Sequence, residues 1–392
     1  MTNSITLAPL PSWRNIFNVF LVRNKSDRKL ATPWLKGNEE VFWLSRSAWS
    51  FYLVAKFRMR VMEKDSIIVW VPDYFCNASL IPLRSLNVTL KFFPISKDGA
   101  PNLTACYDLL KEDKPDLIIA VHYFGKPVVL DELSDFSKEY GAWFVEDCAH
   151  CLKAVSGIGE FGDFVLFSPH KLLAIPDGGL LVVRKEGAGR VLDNPADKVV
   201  LEEIYHAMVS GGGDSSLQDS LVWLVKRIMQ KVGFRSKQKV MGFYEDECKV
   251  DSKPFSHPKM SFLAKKLLFL LSAQLEKERD YRDNNYLLWC RELLSKKVIG
   301  EQNISLNISY SPYLARFIGD DSHRANEIFY KLQKAGVPVT TWPDLPPEVI
   351  SDNCKYKEAV TIRNKTFFLP VHSSMSLKQI RSSLKNVIIQ ED

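Results

Sequence analysis

Between residues 47 and 184 the chain alternates short apolar runs with longer segments of helical spacing. The runs are almost uninterrupted, which is typical of strands buried on both faces of a parallel sheet. Six runs fit this description, at residues 67–71, 90–94, 117–122, 143–146, 164–168 and 180–184, with covering helices between them at 105–110 and 130–140. The pattern predicts an α/β fold in which helices sandwich a mostly parallel sheet.

The alternation stops after residue 184, and the remaining sequence has a different organisation. Residues 187–258 are helical in patches with a loop at 210–214, and the spacing then predicts a long helix at 260–294 and another at 323–335. A chain of 392 residues also exceeds the size at which one core stops growing. We predict an N-terminal segment at 1–40, a large domain at 41–255 and a smaller α+β domain at 256–392.

Composition excludes several classes of protein. The formal charge of +6 is too small a bias for a dedicated nucleic-acid binder, although it suits anionic small molecules. Basic residues cluster at 226–239, and we interpret the cluster as a solvated face in preference to a phosphate-binding patch. Since the sequence contains neither a signal peptide nor a membrane span, and its seven cysteines form no disulfide framework, we expect a cytoplasmic protein.

Polar residues follow two neighbouring strands at the point where each strand ends. Asp147 ends the fourth predicted strand, Lys171 follows the fifth, and Gly178-Gly179 precede the sixth. The carboxyl ends of parallel strands open onto a ligand crevice. Pyridoxal phosphate (PLP) requires a carboxylate against its ring nitrogen and a lysine that forms a Schiff base with its aldehyde. The arrangement therefore predicts a PLP site built on Asp147 and Lys171.

Several motifs identify a known family. Residues 145–150, 167–171, 178–179, 336–338 and 369–372 resemble the sugar aminotransferases of the DegT/DnrJ/EryC1/StrS family, and the resemblance extends over about 41–184 and from 260 to the end. It implies the fold-type-I PLP architecture with a smaller C-terminal domain. It also implies amino transfer from a donor such as glutamate to a keto-sugar, which we expect to be nucleotide-linked, in a homodimer whose subunits share each active site.

The resemblance also implies individual roles around the cofactor ring. Asp147 would pair with the pyridine nitrogen, Ala149 would pack under the ring, and His150 occupies the family's usual glutamine position near the ring hydroxyl. Lys171 would hold the aldehyde and then move protons. We therefore expect Lys171, Asp147 and His150 to be the catalytic residues.

Other matches concern the cofactor phosphate. Ser168 would contact the phosphate, and the backbone amides of Ser47 and Ala48, at a predicted helix N-terminus, would cradle it. The interval from Ser168 to Lys171 is shorter than the family's. Arg46 stands where the family commonly has a small residue, so it is a candidate for contact with a substrate or cofactor anion.

Two further positions depart from the family pattern. The family commonly stacks an aromatic ring on the cofactor at a position that Cys76 occupies, and Tyr74 or Phe75 would take that role if the loop is reshaped. Residues 256–260 stand where many members carry an asparagine that reaches the partner's phosphate. His257 or Lys259 could replace it, and the sequence does not choose between them.

Three alternative interpretations compete with amino transfer. Cys148 and Cys151 enclose His150 in a lone CxxC, but without a second cysteine pair to close a zinc shell we predict no metal site. A PLP-dependent sugar dehydratase, in which histidine replaces the lysine, stays open because His170 adjoins Lys171. The third alternative is a non-catalytic protein that keeps the fold as a binding module.

Overall fold

A computed structural model describes residues 5–23, 25–184, 191–211, 215–234, 242–243, 257–301, 304, 308–385 and 387. The strands are β1 (Glu40–Leu44), β2 (Ile67–Pro72), β3 (Val88–Phe93), β4 (Leu117–Val121), β5 (Trp143–Cys148), β6 (Phe164–Phe167), β7 (Gly179–Val183), β8 (Ala315–Ile318) and β9 (Thr366–Leu369). The α-helices are α1 (Trp13–Asn18), α2 (Asp27–Ala31), α3 (Ala48–Val61), α4 (Asn77–Arg84), α5 (Leu103–Leu110), α6 (Asp131–Tyr140), α7 (Pro169–Leu172), α8 (Pro195–Ser210), α9 (Ser215–Lys231), α10 (Phe262–Ser272), α11 (Leu275–Ser295), α12 (Ser322–Lys334), α13 (Pro347–Ser351), α14 (Lys357–Lys365) and α15 (Leu377–Ser383).

Seven strands form one sheet in the order β1-β7-β6-β5-β4-β2-β3. Neighbours from β3 to β6 pair in parallel, whereas β7 is antiparallel to both β6 and β1. The α/β class with a mostly parallel sheet is therefore confirmed, and all six predicted runs are strands. The expectation that the sixth run is also parallel is wrong, because the short connection through α7 reverses the chain instead of carrying it across the sheet.

Strand β1 was not anticipated from the apolar pattern. It spans five residues and lies at the edge of the sheet, where it pairs with β7, and Leu44 also forms an isolated bridge with Lys259. This short run precedes the alternating region, so the alternation did not mark it as a strand. Its place in the sheet depends on pairing with a strand more than one hundred residues away.

The prediction of one helix at 260–294 is wrong in one respect, because this segment forms two helices. α10 ends at Ser272 and α11 begins at Leu275. The apolar spacing continues across the break, so periodicity alone did not reveal it. The helix predicted at 323–335 agrees with α12.

Three apolar clusters organise the described part of the chain. One includes Trp70 and Phe144 of the large sheet, and a second includes Trp43 of β1. The third joins the antiparallel pair of β8 and β9 to α11 and α12 and includes Trp289 and Phe329. The predicted boundary at 255/256 and most of the predicted loop at 210–214 lie outside the described residues, so the domain limits stay predictions.

Candidate active site

The sheet places Asp147 and Lys171 at its carboxyl edge. Asp147 is next to last in β5, where it pairs with Leu166 of β6, and Lys171 lies in α7 directly after β6. Burial raises the pKa of Asp147, and the positive charge of Lys171 is the largest effect that opposes this rise. The charge of Lys171 therefore acts on the Asp147 carboxyl group electrostatically.

His150 connects to Lys171 directly. Its Nε2 lies 3.3 Å from Lys171 Nζ, and its Nδ1 accepts the amide hydrogen of Phe124 at 3.2 Å. Burial lowers the pKa of His150 well below its ordinary value, so the ring is neutral near pH 7. Because a neutral imidazole carries one hydrogen and Nδ1 is an acceptor, Nε2 carries that hydrogen, which Nζ can accept only when the Lys171 amine is uncharged.

Two aromatic rings hold His150 in this orientation. The ring is stacked on Tyr313, with centroids 4.6 Å apart and planes at 10°, and on Phe124 at 5.6 Å and 19°. The indole of Trp342 meets its edge at 5.7 Å. Packing therefore fixes the direction of the Nε2 hydrogen toward Lys171.

A cavity of about 480 Å³ adjoins Lys171. Of the residues predicted to form the site, its lining includes Lys171, His150 and Cys76, and it also includes Arg46. The remaining predicted cofactor residues lie outside this lining, and they are Ser47, Ala48, Phe75, Asp147, Ala149 and Ser168.

Several lining residues were missed by sequence reasoning. Residues 7–9 come from the N-terminal segment, Trp223 and Arg227 from α9, and Tyr313 from the segment before β8. Trp342 and His372 also line the cavity. Apart from His372, which lies in the motif at 369–372, no motif marked these positions, because they come from distant parts of the chain that only the folded structure brings together.

The loop after β2 gives three different environments to its candidate stacking residues. Tyr74 stacks on Trp342 at 4.6 Å, and Phe75 packs in the core against Phe51 at 5.7 Å. Of these candidates, only Cys76 reaches the cavity wall. The structure therefore gives Phe75 a packing contact where a cofactor contact was expected.

The N-terminus of α3 lies against the paired glycines. A Cβ atom on Gly179 would come within 2.3 Å of the Ser47 amide nitrogen, so any larger residue would displace this helix end. Ser168 is fully buried, with its hydroxyl 2.9 Å from Nδ1 of His170. The close packing explains why the glycines occur at this spacing from Lys171, since they let a helix N-terminus with free amides approach the crevice.

Residues 257–260 lie beside this helix end. The amide of Ser45 donates to Pro258 O at 2.7 Å, and the amide of Ser261 donates to Asp177 at 2.9 Å. Arg46 is near Asp177 and His170; burial lowers the Arg46 pKa, and Asp177 opposes that shift. Arg46 is thus a partly buried cation on the cavity wall.

Glu146, the neighbour of Asp147, has a structural environment. Its carboxylate lies 2.7 Å from His122 Nε2 and accepts the amides of Phe161 at 2.9 Å and Gly162 at 3.0 Å. His122 Nδ1 in turn accepts the amide of Val128, so neither ring nitrogen has a lone pair for a metal. Although His122, Glu146 and Cys148 lie within ligand distance of one another, these hydrogen bonds account for their arrangement.

Replacing Glu146 with alanine should destabilise the fold by about 3 to 5 kcal/mol, because it leaves buried amides and His122 without an acceptor. Burial alone would raise the Glu146 pKa, but hydrogen bonds from His122 and the backbone amides lower it from 4.5 to about 2. A lowered pKa in the folded state stabilises the protein above pH 4.5. This contribution, roughly 3 kcal/mol, is lost as the pH falls toward about 2.

Urea unfolding of the wild type and Glu146→Ala at several pH values would measure both effects. The difference between the two proteins should shrink as the solution becomes more acidic. Asp135→Asn, an exposed change on α6, is the control. An alanine variant as stable as the wild type at neutral pH would contradict this role for Glu146.

The sheet order and the lysine, carboxylate and imidazole at its carboxyl edge define a class: an α/β protein with the fold-type-I architecture of PLP-dependent transferases. Residues 69–192 match the model of the DegT/DnrJ/EryC1/StrS aminotransferase family. The match confirms the resemblance found in the sequence motifs. It covers β2 to β7, and with them Asp147, His150 and Lys171.

Individual relatives match shorter segments. Serine hydroxymethyltransferase of Methanosphaera stadtmanae is 33% identical over 94 residues, which is 22% of each chain. GDP-perosamine synthase of Vibrio cholerae is 35% identical over 74 residues, 18% of this chain and 20% of that one. The chain thus spans about a fifth of the length of these curated relatives.

A solved structure matches almost the whole chain. The aminotransferase TlmJ from Streptoalloteichus hindustanus has a TM-score of 0.68 over 98% of this chain and 97% of its own, at 16% identity. At this identity the likeness shows the fold. It extends the fold-type-I architecture beyond the segment that the family model matches.

Proposed function

We propose that this protein is a PLP-dependent aminotransferase that moves an amino group, with glutamate as the donor, to a nucleotide-linked keto-sugar. The observation that carries the proposal is the contact of Lys171 with His150 and its electrostatic interaction with Asp147 beside one cavity. The family match and the relative named GDP-perosamine synthase support the substrate class. The product would be an amino-sugar for polysaccharide biosynthesis, and we place the reaction in the cytoplasm.

The residues present fit PLP. Asp147 would hold the ring nitrogen, Lys171 the aldehyde, and Ala149 the ring face. The close approach of Gly179 to the Ser47 amide leaves the α3 N-terminus at the crevice, where its amides and Ala48 would hold the phosphate. Ser168 would also contact the phosphate. When bound, PLP supplies an electron sink that stabilises negative charge on the substrate carbon.

The chain's own residues would then control the proton. Lys171 Nζ would take a proton from the substrate carbon and return it one position away, a transfer typically worth about 10² to 10⁴ in rate. His150 would direct its Nε2 hydrogen at Nζ, which orients the amine lone pair. The carboxylate of Asp147 would keep a positive charge on the ring nitrogen through each turnover.

Cations on the cavity wall suit anionic substrates. Arg46 and Arg227 both line it, and burial lowers the pKa of each. A partly desolvated guanidinium binds a carboxylate or phosphate strongly because little water screens it. We infer that these two residues bind the donor carboxylate and the diphosphate of the acceptor.

A second copy would complete the site. The family resemblance implies a homodimer with shared active sites, and residues 257–260, which adjoin the α3 N-terminus, are the segment expected to reach the partner. His257 and Lys259 are the candidate contacts. Sedimentation velocity of the purified protein tests the dimer.

The decisive experiment is a product assay with PLP, glutamate and nucleotide-linked 4-keto-hexoses. Transfer predicts 2-oxoglutarate and amino-sugar in equal amounts, with ping-pong kinetics. Loss of a hydroxyl without gain of nitrogen would instead indicate a dehydratase. The match to serine hydroxymethyltransferase makes serine cleavage a necessary control reaction. A protein that cannot be loaded with PLP would be a binding module, and the proposal would fail.

A further inference from the structure

Helix α9 exposes an apolar stripe to solvent. Leu221, Val225 and Val232 recur at helical spacing, and Met229 and Val222 adjoin them on the same side. Their exposed fractions run from 43% for Met229 to 61% for Val222. The opposite side of the helix packs inward through Leu224 and lines the Lys171 cavity with Trp223 and Arg227. Packing of α9 against the rest of the protein therefore does not require the outer stripe.

The N-terminal helix α1 continues this surface. Trp13 and Phe17 stack at 6.3 Å, and Phe17 and Phe20 are each 67% exposed, with Leu21 80% exposed beside them. Lys231 at the end of α9 lies 5.7 Å from the Trp13 ring centroid, which brings the two helices together. We call the exposed apolar side chains of α1, α9 and residues 20, 21, 232 and 234 the α1–α9 surface.

The size of this surface indicates a binding partner. Ten exposed apolar side chains contribute, and together they present roughly 1,000 Å² of accessible area, against about 300 to 600 Å² for the largest patch on an ordinary monomer. Leaving apolar surface in contact with water, instead of burying it, costs about 25 cal/mol per Å². The free-energy cost over this area is therefore large. Burial against a partner would remove it.

The charge around the surface distinguishes between partners. Residues 5–26 contain Arg14, Arg23 and Lys25 and no acidic residue. From residue 220 to residue 234, the basic residues outside the cavity lining are Lys226 and Lys231, and no residue is acidic. The whole chain, by contrast, has 52 basic and 46 acidic residues. The local excess of positive charge predicts an anionic partner.

We propose that the α1–α9 surface binds an anionic lipid bilayer. Exposed Trp and Phe with Lys and Arg at the margins are typical of helices that lie in the membrane interface. A second copy docked through the same face would set one basic excess against another, which is unfavourable in an isologous contact. No helix in the described ranges is long and apolar enough to cross a bilayer, so the surface would lie on it.

Binding to vesicles tests this proposal without any assumption about catalysis. The full chain, loaded with PLP, would be sedimented with vesicles of phosphatidylcholine alone or with about 30 mol % phosphatidylglycerol. We expect at least tenfold tighter binding to the anionic vesicles, weakening as salt rises above about 0.1 M. Substituting Val225→Glu and Met229→Glu together should lower that binding at least tenfold.

A matched control separates the surface from a general effect of added charge. Val129 is 76% exposed and belongs to neither helix, so Val129→Glu should bind vesicles like the wild type. Circular dichroism and PLP absorbance would show that every variant is folded. Equal binding of all variants, or equal binding to neutral and anionic vesicles, would overturn the proposal.

Two other measurements would reveal a different occupant. If the double variant turns a dimer into a monomer and no protein binds vesicles, the surface joins two copies and the proposal is wrong. Hydrogen exchange of α9 with and without vesicles measures the protection that vesicles add to that of the helical hydrogen bonds. Slow exchange there that vesicles do not change would also overturn the proposal, whereas protection that appears only with anionic vesicles supports it.

Discussion

Lys171→Ala should remove the visible absorbance of bound PLP and lower turnover by at least about 10⁴-fold. The amine is both the proposed attachment point of the cofactor and the group that moves the proton, so the substitution removes two functions together. No neighbouring amine can replace it in the described cavity wall, where the other basic residues are arginines and histidines that burial keeps neutral. Arginine stays protonated and cannot act as the base.

Absorbance spectra and single-turnover assays of the purified variant would measure this effect. Lys153→Ala is the control, because Lys153 is an ion-pair partner of Glu276 and does not line the cavity. The control should keep its spectrum and rate. Normal turnover in the Lys171 variant would show that the assignment is wrong.

Asp147→Asn should retain PLP but lower kcat by about 10³-fold. Asparagine keeps the shape of the side chain and can accept the Ala149 amide, which Asp147 Oδ1 accepts at 2.8 Å. It lacks the negative charge that would keep the ring nitrogen protonated, so the electron sink weakens while binding contacts remain. The expected signature is therefore a lower kcat with a nearly unchanged affinity for PLP.

Glu146 provides a comparison one residue away on the same strand. Its side chain points to the opposite face of the sheet and holds a network of backbone amides. Substitution there should lower stability, whereas Asp147→Asn should lower kcat with little change in urea midpoint. A kcat within about threefold of wild type for Asp147→Asn would contradict its proposed role.

The neutral state of His150 bears on both predictions. Its Nδ1 accepts from the Phe124 backbone, and this single contact determines which nitrogen faces Lys171. The family's usual glutamine could also donate a hydrogen bond at this position. His150→Gln should therefore reduce activity less than removal of the side chain, and His150→Ala supplies the comparison.

Much of this protein followed from the sequence by itself. Uninterrupted apolar runs identified six strands, residues at their ends identified Asp147 and Lys171, and the family resemblance added His150. These inferences succeed because a parallel sheet brings the ends of consecutive strands to one edge, so local pattern determines global position. Three of the family motifs, at 145–150, 167–171 and 178–179, lie in the same segment, which explains why fold class and cofactor were predictable together.

The tertiary structure decided what depends on contacts between distant residues. The Nε2 of His372 lies 2.8 Å from the carbonyl oxygen of Thr6, and α9 reaches the Lys171 cavity through Arg227. The pairing of β1 with β7 and the tautomer of His150 have the same origin. Such contacts are set by packing and by the requirement that buried polar atoms find partners, and neither leaves a period or motif in the sequence.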